Sequence, residues 1–275
     1  MAAFPQRRVS RMALWARRLS GFALVLLATA SVGHRYGLVE TLGFLWTLAL
    51  VVLLALSGLA LAAGGFAQLW RRGDKGGRAS LAATAMSVVV LAPFGAAGWL
   101  YFTLPALTDI STDLDEPPHF SIAPRLRTPQ MNAIAPIGHE AAMLQMRFYP
   151  DLAGRRFEVS TERVLAALAP VVAARGWRVR GEMPTSAAGR PEISIEMAAP
   201  GRLLRLPADA VVRLSGEDES TFVDMRVASP YGPHDLGSNA YRITAFLADL
   251  AAELERQSLE IIDIPPSDGS VNPVD

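Results

Sequence analysis

The segment Arg226 to Arg242, RVASPYGPHDLGSNAYR, crowds the residue types that do chemistry into the stretch between a strand pattern and a helix pattern. Arg226, Ser229, His234, Asp235, Asn239 and Arg242 together suit a small anion, because they set guanidinium, amide and hydroxyl donors beside a helix N-terminus. A structural use competes with this one. Asp235 or Ser238 caps the following helix, Gly232 and Gly237 supply backbone angles that other residues resist, and Arg242 pairs with an acid. Catalysis, as an envelope hydrolase or transferase, would need His234 and Asp235 as an acid–base pair. Neighbours on an extended chain point to opposite faces, which argues against that pair.

A second constellation lies on a hairpin, Asp209–Ser215 and Ser220–Val227, closed by Gly216-Glu217-Asp218-Glu219. With Ser215 opposite Ser220, one face pairs Ala210 with Met225, Val212 with Val223 and Leu214 with Thr221. The other face places Asp209 opposite Arg226, and Arg213 diagonal to Asp224. These cross-strand pairs are worth less than about 1 kcal/mol each when solvated. In a cleft beside the 229–242 loop they would line a ligand site instead. The candidate binding residues are therefore Asp209, Arg213, Asp224, Arg226, Ser229, His234, Asp235, Asn239 and Arg242.

Several chemistries have no residues to carry them. The chain has no cysteine, which removes thiolate catalysis, disulfides and Cys-based zinc sites. His34, His119, His139 and His234 lack ligand spacing. Asp109, Asp113, Asp115 and Glu116 lack the EF-hand pattern and read as a solvated linker. Neither a Gly-rich phosphate loop nor G-x-S-x-G occurs, so no metal and no cofactor is expected. Lys and Arg number 26 against 26 acids, and that balance gives no field to attract nucleic acid.

The elements that would position these residues are legible from Asp109 onward. Residues 109–149 hold Pro117, Pro118, Pro124, Pro129 and Pro136 and read as an extended arm. Ser160 opens a helix with Val164, Leu165, Leu168 and Val172 on one stripe, bent by Pro170 and ended by Gly176. Strand signals cover Trp177–Val179, Ile193-x-Ile195-x-Met197 and Leu203–Leu206. A last helix from Ser238 to about Arg256 carries Ile243, Phe246, Leu247, Leu250 and Leu254. This order predicts an α+β domain over 150–262, an antiparallel sheet covered on one face by two helices. The tail 263–275 is expected to be disordered.

The first 108 residues are of another kind. Thr41 to Trp70 and Ala79 to Thr108 run 30 residues each without a charge. About 20 apolar residues span a bilayer, and a central charge costs about 2.5–3.5 kcal/mol. A shorter run, Leu19–Gly33, follows five arginines, giving three transmembrane helices at about 13–33, 42–68 and 80–104. A cleaved signal peptide is the alternative for the first, at Ala28-Thr29-Ala30. The arginines before the first run, and four cations against one acid in Arg71–Arg78, set the N-terminus in the cytoplasm. Residues 109–275 then face the periplasm of a bacterial inner membrane. Lys75 is the only lysine, a bias suited to a GC-rich bacterial gene. Pro93 kinks the third helix, and Ala60 with Gly64 offers a close-packing surface for helix association, including self-association. No ionisable group interrupts the long spans, which argues against an ion path.

The run Val223-Asp224-x-Arg226, Ser229, Gly232, Asp235-Leu236-Gly237, Asn239, Arg242-Ile243 resembles the signature of a family of unknown function numbered 1499. Asp109-Ile110-x-Thr112-Asp113, Pro117-Pro118, Phe120, Tyr149-Pro150-Asp151, Gly176-Trp177 and Asp209 with Arg213 also fit it, over roughly residues 109 to 255. The resemblance implies a compact α+β domain, often exported or membrane-attached, of unestablished activity. The transmembrane half looks like the N-terminal extension of some bacterial members. Members often carry Ser and Arg where this chain has Val227 and Pro230, so roles of those side chains do not carry over. The expectation is a multi-pass membrane protein whose non-catalytic domain binds a partner protein, an envelope component or a small anion.

Overall fold

The structure is a computed structural model that describes residues 8–187, 189–217 and 219–262, without the side chains of 260–262. The tail expected to be disordered lies outside the described residues. Contacts divide the chain into two compact units, Met1–Leu104 with Arg202–Leu206, and Pro105–Gly201 with Pro207–Asp275.

In the first unit α1 (Arg11–Arg35), α2 (Thr41–Arg72) and α3 (Gly77–Thr103) pack against one another, and each is long and apolar enough to cross a membrane. Small residues at 3-4-3 spacing face inward: Ala13, Ala16, Ser20 and Ala23 on α1, Ala55, Gly58, Ala62 and Gly65 on α2, Ser80, Ala83 and Ser87 on α3. That spacing keeps one seam facing the neighbours and lets backbones approach closely. A Cβ on Gly58 would overlap Ser20 Oγ, while Ser20 and Ser87 hydroxyls hydrogen-bond at 2.9 Å. Large side chains such as Phe22, Leu53 and Val89 point outward, the reverse of a water-soluble bundle.

Two expectations are corrected here. The close-packing seam of α2 is Ala55-Gly58-Ala62-Gly65 and not Ala60–Gly64, because Ala60 faces outward. Leu203–Leu206 is not a strand: residues 202–204 form a turn, and Arg35 Nη1 donates to the carbonyls of Arg202 and Leu203. Pro93 is exposed, and α3 runs through it without a break.

The second unit contains β1 (Asp109–Ser111), α4 (Ala123–Leu126), α5 (His139–Phe148), β2 (Arg155–Phe157), α6 (Thr161–Ala174), β3 (Arg178–Val179), β4 (Glu192–Ala198), β5 (Asp209–Glu217), β6 (Ser220–Ala228) and α7 (Ser238–Ile262). All strand pairs are antiparallel, in the order β1-β6-β5-β4-β3, with β2 beside β1 on the same edge of β6. Residues 109–149 are thus no extended arm. They contribute an edge strand and two helices; Pro124 lies in the first turn of α4, and Pro117, Pro118, Pro129 and Pro136 sit in the covering loops.

Alternation decides the two faces of the sheet. Ile193, Ile195 and Met197 of β4, Ala210, Val212 and Leu214 of β5, and Val223, Met225 and Val227 of β6 pack beneath α6 and α7. The helices meet them with Val164, Leu168 and Val172, and with Ile243, Phe246 and Leu250. Trp177 stacks on Phe246 with ring centroids 5.3 Å apart. A Schellman motif ends α6: Gly176, at φ +62°, donates to the Ala173 carbonyl, and Trp177 N–H reaches back to Val172 at 3.1 Å. Pro170 does not shorten α6, because it lies on the exposed face where water meets the freed carbonyl.

The β5–β6 register differs from expectation by two residues. Ser215 pairs with Phe222 and Glu217 with Ser220, so β5 runs on through Gly216 and Glu217 before the chain reverses. An even slip keeps every side chain on its expected face but changes its partner. Arg213 faces Asp224 directly, and Asp209 faces Ala228 rather than Arg226.

Candidate functional site

The sheet face turned away from the helices carries charge in ordered rows. Ala198, Asp209, Ala228 and Asp109 align across four strands, and two residues along come Glu196, Val211, Arg226 and Ser111. Ser194, Arg213 and Asp224 form the third row. Residues 112–136 lie over this face, with Phe120 and Ala123 packed against Val211 and Ala228 as a small second core.

Each buried charge on this face meets a partner. Arg226, 5% exposed, grips Asp109 with Nε and Nη2 at 2.9 and 2.8 Å, donates to the Ala135 carbonyl at 2.7 Å and lies over the Phe120 ring. Arg213 Nη2 bridges Asp113 and Asp224 at 2.7 and 2.8 Å, and its Nη1 donates to the Glu116 carbonyl. Thr112 continues the β1–β6 pairing: its amide donates to the Met225 carbonyl, its hydroxyl accepts from Met225 N–H and donates to Asp224. Gln145 of α5 completes the outer edge of β1, its amide exchanging two hydrogen bonds with the Ser111 backbone as a strand would.

Two carboxylates here titrate low. Burial would push Glu196 up, but the Ser121 hydroxyl and the amides of Ala123, Ile122 and Ser121 hold its carboxylate below the ordinary value. Asp113 is lowered in the same way, with the Glu116 amide and the Arg213 guanidinium outweighing desolvation. Asp113 and Asp109 therefore bind arginines of the fold, which corrects their reading as solvated linker acids. Among the described residues no group of three His, Asp or Glu side chains is placed to hold a metal ion.

The second cluster surrounds the start of α7. Asp235 accepts from Gly237 N–H at 2.9 Å and Asn239 N–H at 2.8 Å, a cap that uses both carboxylate oxygens. Burial nevertheless raises its pKa, against the two amides that lower it. Asn239 donates to the Thr108 carbonyl and accepts from Arg242 Nη1 at 3.0 Å, while Ser229 binds Asn239 through its hydroxyl and Thr108 through its amide. His234 Nδ1 accepts from Leu236 N–H at 2.8 Å and lies 4.0 Å from Asp235 Oδ1. The ring thus fixes the turn at Leu236, whose φ is +55°.

The nine candidates therefore gather in two places. Asp209, Arg213, Asp224 and Arg226 lie on the sheet face; Ser229, His234, Asp235, Asn239 and Arg242 fasten the start of α7 to residues 107–108. Arg226 does not join the helix-start group with which the sequence grouped it. The expected Asp209–Arg226 ion pair is replaced by Asp209 with Arg127 and Arg180, and by Arg226 with Asp109. Sequence reasoning missed Arg127, Arg180, Thr112, Glu196 and Gln145. Of these, Glu196 carried a signal in its place on the polar side of the β4 alternation, and Thr112 in the family resemblance of residues 109–113.

Above Arg226 and Phe120 the covering segment leaves a cavity of about 310 Å³. Pro117, Ile134, Pro136 and Ile137 form apolar walls, and Asp115 and His119 stand exposed among its lining residues.

Three helices of membrane-crossing length and an antiparallel α+β domain with a buried ionic face define the class of protein. Residues 109–250 match the family described as protein of unknown function (DUF1499), and the chain belongs to that family. The match spans every strand of the sheet and all nine candidate residues. No curated protein is similar enough to the chain to match it.

Proposed function

We propose that this is a bacterial inner-membrane protein that keeps its N-terminus in the cytoplasm and presents the α+β domain in the periplasm as a binding module. The cavity over Arg226 and Phe120 carries the binding reading. At about 310 Å³ it matches the lower end of small-molecule pockets, which are mostly apolar with a few placed polar groups. Asp109 already balances the charge of Arg226, so the cavity favours a ligand with an apolar body and one hydrogen-bond acceptor, free or on a partner protein. His234 and Asp235 are committed to a turn and a helix cap, which supports binding over an envelope hydrolase or transferase. The cationic connector between α2 and α3 supports the orientation.

Full-length protein extracted in mild detergent and opened in a native mass spectrometer should carry a bound small molecule or partner. Ile137→Trp, which fills the cavity without touching a buried ion pair, should release it while the unfolding midpoint stays put. A wild-type protein that carries nothing, or a variant that keeps the ligand, contradicts the reading. Alkaline phosphatase fused after Asp275 should be active; an inactive fusion that is stably expressed would reverse the orientation.

A further inference from the structure

The ionic face of the sheet is not uniformly neutral. Asp113 and Asp224 share one guanidinium, that of Arg213, and Asp109 pairs one-to-one with Arg226. At the other end a single carboxylate, Asp209, serves two guanidiniums, with Arg127 Nη2 at 2.8 Å and Arg180 Nη2 on its other oxygen. That triad carries one uncompensated positive charge. Glu196, two residues from Ala198 on the same face, gives both of its oxygens to the amides of 121–123 and makes no ion pair with either guanidinium.

Hydrogen bonding shows the same deficit. Arg226 directs Nε and both terminal nitrogens at acceptors. Arg127, with a side chain 7% exposed, leaves Nε and Nη1 buried and without an acceptor among the described residues. Arg180 leaves Nε in the same condition, as Arg213 does at the other end, so Arg127 Nη1 is the donor that sets this end apart. Burial pushes the Arg127 pKa down against the pull of Asp209 and Asp109. Buried unmet donors on a charged group call for an occupant.

We propose that the Arg127–Asp209–Arg180 triad binds one small monovalent anion of halide size as a buried counter-ion. Water would satisfy the donors without balancing the charge. A divalent anion would leave an excess negative charge, and the burial of Arg127 shuts out a bulky headgroup. None of the three residues lines the cavity over Phe120, so the proposal stands independently of what that cavity holds.

The test is thermal unfolding of the full chain in detergent micelles at constant ionic strength, with sodium gluconate replaced stepwise by bromide, chloride or sulfate. Bromide and chloride should raise the midpoint saturably, as ligands of the native state do, and sulfate should not. Arg180→Gln, which keeps Arg127 and Asp209 paired, should weaken half-saturation about tenfold, the effect of losing one charged hydrogen bond. Identical curves for all anions mean that water alone occupies the site and overturn the proposal. So does a halide effect that Arg180→Gln leaves at the wild-type half-saturation. Should that variant fail to fold, bromide-soaked crystals of the wild type decide by anomalous diffraction. A peak within hydrogen-bonding reach of Arg127 Nη1 supports the site, and its absence refutes it.

Discussion

The two faces of β4, β5 and β6 are built from alternate residues of the same strands, yet they solve burial by opposite means. Beneath α6 and α7 the contacts are apolar but for the Thr161–Thr221 hydroxyl pair, and each apolar side chain gains from leaving water without needing a particular partner. Beneath residues 112–136 the strands present Asp209, Arg213, Asp224 and Arg226, which leave water only because each meets a charge. Attraction inside a buried pair roughly repays its desolvation, so the ionic face adds little net stability. What it adds is direction. A bidentate grip such as Arg226 on Asp109 admits one arrangement of the chain, whereas a methyl accepts many. The ionic face thereby holds a proline-rich loop in one place and leaves the cavity open beneath it.

That contrast is sharpest in what truncation leaves behind. Asp209→Ala strands the buried Arg127 guanidinium and the half-buried Arg180 one, and breaking a buried pair in this way costs about 3–5 kcal/mol. Leu214→Ala on the apolar face leaves a cavity and costs about 2–5 kcal/mol, from lost transfer energy and unfilled volume. Urea unfolding of the full chain in detergent can compare them through the emission of Trp177, the only tryptophan after residue 104. Asp209→Ala should lose at least as much as Leu214→Ala. An Asp209→Ala variant within 1 kcal/mol of wild type would show that water already reaches this face.

The same contrast explains how much of the molecule was legible in its sequence. Strand alternation assigned each residue of β5 and β6 to its face despite the two-residue slip, because the period of two survives an even error. The stripes of α6 and α7, the uncharged spans and the cap at Asp235 were legible for similar reasons: one local period or spacing suffices for each. Ion-pair partners follow no period. Arg127 follows α4 and Arg180 follows β3, and no spacing links them to Asp209. β1 and β2, three residues each, are too short to show alternation, and the prolines after β1 disguised a folded segment as an arm.

Acid should separate the sheet face from the start of α7, because Glu196 and Asp113 on the one and Asp235 on the other are perturbed in opposite directions. Glu196 and Asp113 titrate below their ordinary values in the fold. Their stabilisation is complete above the unfolded pKa and disappears as pH falls through the lower, folded one. Asp235 titrates above its ordinary value, so its charged form opposes folding, and acidification through that raised pKa adds stability until the unfolded carboxyl also protonates. Unfolding midpoints of the full chain, measured from pH 7 down to about pH 3, should therefore respond oppositely to two conservative substitutions. Glu196→Gln should flatten the loss at the acid end, where the wild-type carboxylate lets go of the 121–123 amides. Asp235→Asn should remove the gain that precedes it, at higher pH. Parallel curves for the two variants would mean that Asp235 is as well solvated as a surface acid. The helix start would then lie open to ligands, which its hydrogen bonds to residues 107–108 argue against.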